Sequence, residues 1–87
     1  MLENAKTRKE ILAINLEARI QEVMHYQINI DNYTLALEHI AAMTADECAE
    51  LVGFVDQLTS LLASEKLEQK KAKVMLEVFR RQIDALR

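Results

Sequence analysis

Eighty-seven residues, 51% hydrophobic and 29% charged, with one glycine and no proline, make one small domain that is neither disordered nor membrane-like. The net charge of −3 is unevenly placed: residues 1–10 sum to +1, residues 11–64 to −7 and residues 65–87 to +3. No apolar run reaches the ~18 residues of a membrane span, MLENAKTRKE lacks the apolar stretch of a signal peptide, and the lone Cys48 cannot close an internal disulfide, so the expected setting is cytoplasmic.

Strong helix formers dominate throughout, and the punctuation of strands and tight turns is missing. The expected class is all-α. From about residue 5 to 43, steps of three and four pick out Leu12, Leu16, Arg19, Val23, Tyr26, Ile30, Tyr33, Leu37 and Ile40. Such a seam marks a helix packed side by side with another, knobs in holes. Within it INIDNYT (28–34) carries Asn29, Asp31 and Asn32, which are poor in helix interiors. The heptad phase survives the stretch, and one continuous helix is expected.

MTADECAEL (43–51) then presents a start signal. Thr44 precedes Glu47 by three residues, the capping-box spacing, with Met43 and Cys48 at the positions of a hydrophobic staple. Asp46 and Glu47 suit the positive end of a new helix. A turn is therefore expected at 43–45, followed by a second helix over about 45–86.

The second helix repeats the spacing through Cys48, Leu51, Val55, Leu58, Leu62, Glu65, Gln69, Ala72, Leu76, Phe79, Ile83 and Leu86. Ser64 in ASEK (63–66) could cap a fresh helix, but here too the phase is kept. Equal arms and a short hinge predict a long antiparallel, coiled-coil-like hairpin spanning 1–87 as one helical domain. Around a turn near 43–44, position i should face about 88 − i. Arg19, the cation of the first seam, then meets Gln69, with Glu65 and Glu68 nearby. Such a polar group would fix register.

Apolar residues also lie outside both seams: Ile11, Ile14, Ala18, Ile20, Ile28, Leu35 and Ala42 on the first arm, and Phe54, Leu61, Met75 and Val78 on the second. A soluble monomer rarely exposes so much, so self-association into a helical bundle, as a homodimer or higher oligomer, is expected; the helix of another protein could fill the same groove.

Chemistry is scarce. Glu22 and His25 have the Glu-x-x-His spacing of di-metal carboxylate bundles, with Glu65 at a comparable level, but they flank the seam. His39 falls near a helix C-terminus, where a charged imidazole suits the dipole. Cys48 reads as a small apolar residue. Thr59, Ser60 and Ser64 lack a glycine-rich elbow, and no phosphate-cradling loop exists. No enzyme activity, metal site or cofactor is expected. The features unexplained by folding are charged. Lys66, Lys73, Arg80 and Arg87 fall seven apart, with Lys70, Lys71 and Arg81 beside them, on the arm opposite the acidic row Glu10, Glu17, Asp31 and Glu38. This arrangement suggests two faces of opposite sign. The sequence thus points to a non-enzymatic protein–protein interaction module, an adaptor, inhibitor or assembly factor, whose candidate partner-binding residues are Lys66, Lys70, Lys73, Arg80 and Arg81. The alternatives are nucleic-acid association through the basic stripe, which interleaved Glu77 and Asp84 oppose, and an acidic charge mimic using the acidic middle of the chain; the acidic group Asp46, Glu47, Glu50 and Asp56 near the turn is the other charged feature that folding does not fully explain.

Overall fold

The computed structural model describes residues 5–86. Two long helices, α1 (Ala5–Ala41) and α3 (Val52–Ala85), run against each other, joined by the single helical turn α2 (Ala45–Cys48) and a 3₁₀ turn (Ala49–Leu51). No strand occurs among the described residues. The molecule is an antiparallel helical hairpin measuring 67 × 20 × 13 Å.

Both weak stretches stay helical. α1 passes through 28–34 unbroken, with the Thr34 hydroxyl donating to the Ile30 carbonyl at 2.7 Å, and α3 passes through 63–66. Gln27 donates to the Asp31 carboxylate one turn on at 2.9 Å, so the Asp31 side chain is engaged along the helix instead of competing for its amides.

At the turn α1 closes with bifurcated and 3₁₀-type bonds: Ala42 N–H donates to Glu38 and His39 carbonyls, and Met43 N–H to Ile40. Thr44 is extended (φ −70°, ψ 161°) and caps α2. Its hydroxyl accepts from Glu47 N–H at 3.2 Å, and the Glu47 carboxylate accepts from Thr44 N–H at 2.8 Å. The expected uniform second helix is corrected here. After one capped turn the backbone tightens at Ala49–Leu51, and the long helix starts only at Val52. No side chain caps the 3₁₀ turn or the start of α3. A tightened turn changes the chain's direction while the backbone stays hydrogen-bonded, so no glycine or proline is needed.

Every residue of both seams is buried or half-buried, whereas the apolar residues outside them, apart from half-buried Ile20, Ala36 and Met43, are exposed. Leu12, Ile30, Ile40, Leu58 and Ala72 form the core, and none of the described side chains is fully buried. The register differs from expectation. Gln69 bonds to Val23 and Gln27, so a residue i of α1 lies level with one between 92 − i and 96 − i of α3. The capped turn and the 3₁₀ turn take up more chain than a tight hinge would, and α3 is displaced by one to two helical turns.

The rows seven apart on either side of the seam define two broad faces. On one side run Asn15, Glu22, Asn29 and Ala36 of α1 with Phe54, Leu61, Glu68 and Met75 of α3; a groove of about 180 Å³ joins Glu22 to Glu68 and Met75. On the other run Ile20, Gln27, Thr34 and Ala41 with Val52, Thr59, Lys66, Lys73 and Arg80; a groove of about 310 Å³ at the turn joins Ala41 to Val52 and Asp56.

Candidate interaction surfaces

The polar members of the seams come apart in the structure. Gln69, only 8% exposed, points its amide at α1, donating to the Val23 carbonyl at 3.2 Å and to Gln27 Oε1 at 2.9 Å. Arg19 does not meet Gln69. It pairs within its own helix with Glu22 at 3.3 Å, and its Nε is buried without a hydrogen-bond partner, as is Oε2 of Glu65. The expected Arg19–Gln69 contact fails because of the register: Gln69 comes level with Val23 to Gln27, and Arg19 comes level with the groove at Ala72 and Met75. Gln27 was not singled out in the sequence because it lies one step off the seam. Its position in the row 13, 20, 27, 34 beside the seam was the available signal.

The capping residues do sit together. The bond from Thr44 N–H, then the hydroxyl of Thr44, and to a lesser extent the charge of nearby His39, hold the exposed Glu47 carboxyl below its ordinary value. Donors aimed at a carboxylate favour its charged form. Asp46, Glu50 and Asp56 lie near this turn, all three exposed and in none of the described ion pairs.

Lys66, Lys70, Lys73, Arg80 and Arg81 are all exposed. They are not equally free. Arg80 and Arg81 both reach Glu77 at 3.4 Å, and the neighbouring Lys71 pairs with Glu68 at 3.3 Å. Lys66, Lys70 and Lys73 take part in none of the described ion pairs. The two charged rows also sit differently from expectation. The acidic row Glu10, Glu17, Asp31 and Glu38 borders the same broad face as Lys66, Lys73 and Arg80, so the hairpin carries one face with an acidic arm and a basic arm. The reason is geometric: in an antiparallel pair the same-side rows of the two helices adjoin, and both charged rows fall on the side of Gln27.

Glu22 is tied to Arg19, and His25 is exposed with its ring 6.3 Å from that of Tyr26. Among the described residues no group of three or more His, Cys, Asp or Glu side chains is placed to hold a metal. Cys48 is half-buried, its thiol 3.7 Å from the Ala45 carbonyl, and with Leu37, Ile40, Met43, Val52 and Val55 it lines the apolar groove at the turn. Among the described residues, no helix is long and apolar enough to cross a membrane.

Comparison with protein-family models, with curated proteins and with solved structures returned no match.

Proposed function

We propose that the chain is a non-enzymatic helical interaction module whose charged broad face recognises another protein. The observation that carries this reading is the set of exposed lysines, Lys66, Lys70 and Lys73, which form no described ion pair while the other cations of α3 are held by Glu68 or Glu77. A cation that satisfies no neighbour contributes little to folding and remains available to a partner. The acidic arm of α1 borders the same face, so the partner would present a basic row beside an acidic one. Patterned charge of this kind steers encounter and selects partners more than it adds affinity. The mixed sign also disfavours nucleic acid, whose phosphates would meet Glu10, Glu17, Asp31 and Glu38 as well as the lysines.

The test is the triple reversal Lys66→Glu, Lys73→Glu and Arg80→Glu. The far-ultraviolet helical signal should stay intact, since surface charges shift stability by about 0.5 kcal/mol or less each. Capture of a specific protein partner by the unaltered chain should be lost in the variant. Retention of that partner moves the determinant to the acidic turn, and a salt-sensitive shift of DNA by the unaltered chain favours the nucleic-acid alternative.

A further inference from the structure

The other broad face calls for a different occupant. Phe54, Leu61 and Met75 stand along it on α3, 46%, 38% and 41% exposed. None of them packs into the seam. The whole chain exposes 6497 Å², whereas a compact protein of 10.0 kDa exposes about 5,200 Å². The excess, about 1,300 Å², is spread over the whole elongated chain, and it is larger than the roughly 800 Å² per partner that a standard stable interface removes. At the middle of this face two ion pairs stand side by side, Arg19–Glu22 on α1 and Lys71–Glu68 on α3, each confined to its own helix. Glu22 and Lys71 are level across the hairpin by the Gln69 register but are not paired with each other.

We propose that this face docks on the same face of a second copy of the chain, the two copies related by a two-fold axis along the hairpin. That operation keeps every residue at its own level and lays α1 of each copy over α3 of the other. Glu22 of one copy then comes level with Lys71 of its partner, and the pairing is reciprocal, as an isologous contact requires. The alternative, a two-fold across the hairpin, sets α1 on α1 and α3 on α3, and at full overlap it opposes Glu22 to Glu22 and Glu68 to Glu68. Phe54, Leu61 and Met75 of each copy supply the apolar area, laid over the row Asn15, Glu22, Asn29 and Ala36 of the other copy's α1, and the central charges set the register. The charged face bearing the free lysines stays outward on both sides of the resulting four-helix bundle. The inference therefore rests on the interaction-module reading while naming the occupant of the opposite face.

Sedimentation equilibrium of the intact chain over a wide concentration range tests it. A dimer is expected. Leu61→Glu should shift it to monomer, whereas Ala63→Glu, on the opposite side of the same helix, should leave it dimeric. Glu22→Lys and Lys71→Glu should each weaken the dimer roughly tenfold or more, and the combined variant should recover most of that loss. Glu22 and Lys71 also line one groove within a single hairpin, so the recovery must appear in the dissociation constant while the helical signal of all three variants stays at that of the parent. A monomer at all concentrations, a dimer indifferent to Leu61→Glu, equal disruption by Ala63→Glu, or a combined variant no better than the single ones each overturns the proposal. A monomer that still captures a protein partner through the lysine row overturns the dimer alone; a dimer that captures none overturns the partner reading alone.

Discussion

Replacing Gln69 with leucine separates what the polar member of the seam does for stability from what it does for register. Gln69 is 8% exposed and spends both described bonds on α1, at 2.9 Å to Gln27 and 3.2 Å to the Val23 carbonyl. Neutral hydrogen bonds contribute about 1 kcal/mol each net, so Gln69→Leu forfeits about 2 kcal/mol. Neither acceptor is stranded: Gln27 is exposed and can turn to water, and the Val23 carbonyl lies inside α1, where the helical bond remains. A leucine level with Val23 and Tyr26 in the seam returns about 1.5–3 kcal/mol of burial. The two effects offset. Urea denaturation should therefore place Gln69→Leu within about 1 kcal/mol of the parent, while Gln69→Ala, which forfeits the bonds and leaves a gap, should lose about 2–4 kcal/mol. Register is read separately, by cysteine pairs crosslinked at the native level and one heptad away. The native chain should crosslink at the native level alone, and Gln69→Leu at both. A loss above about 2 kcal/mol in Gln69→Leu, or native-only crosslinking, would refute the reasoning and make the amide a net stabiliser.

Thr44→Ala should cost about 1 kcal/mol, the usual value for a lost N-cap, measured by thermal melting. Because Thr44 holds the Glu47 carboxyl below its ordinary 4.5, this part of the stability is fully present above that value and is lost as pH falls through the lower folded value; Glu47→Gln should flatten the acid limb of the melting curve. Gly53→Ala should stabilise by about 0.5–1 kcal/mol, since Gly53 is helical, has no positive φ, and an added Cβ would meet nothing within 4 Å. An unchanged or lowered midpoint would show that the tightened turn before it depends on glycine's freedom.

The seam was legible because burial in a two-helix packing imposes a period, and the period survives wherever a side chain must face the other arm. Even Arg19, Glu65 and Gln69, polar as they are, occupy half-buried or buried positions that the spacing assigned them. The capping box was legible because it is local, two side chains satisfying two amides three residues apart. Register was not. It depends on how much chain the turn consumes, and Ala49, Glu50 and Leu51 are helix formers with nothing in their identity to announce a 3₁₀ turn. That displacement alone moved Gln69 from Arg19 to Gln27. The surface rows were visible as heptad spacings, but the side of the seam on which each row falls was not stated by the spacing. The antiparallel pairing decides it, and it gathers the acidic and basic rows along one face.

A hairpin of this width has little with which to hold itself together. Two helices one layer thick, in a molecule 13 Å through, can bury one stripe of each, and here that stripe yields five apolar residues below a tenth exposed. Isolated helices draw most of their stability from such packing rather than from propensity. Ordering some eighty residues against that small core leaves the balance thin, since each ordered backbone costs about 1–2 kcal/mol. Covering Phe54, Leu61 and Met75 with the same face of another copy roughly doubles the buried stripe of α3 without any new sequence. Stability and assembly then become one equilibrium, and the melting temperature should rise with protein concentration, as it does whenever the folded state alone associates. A melting temperature independent of concentration would mean that the thin core suffices, and that the apolar face is kept for something other than its own copy.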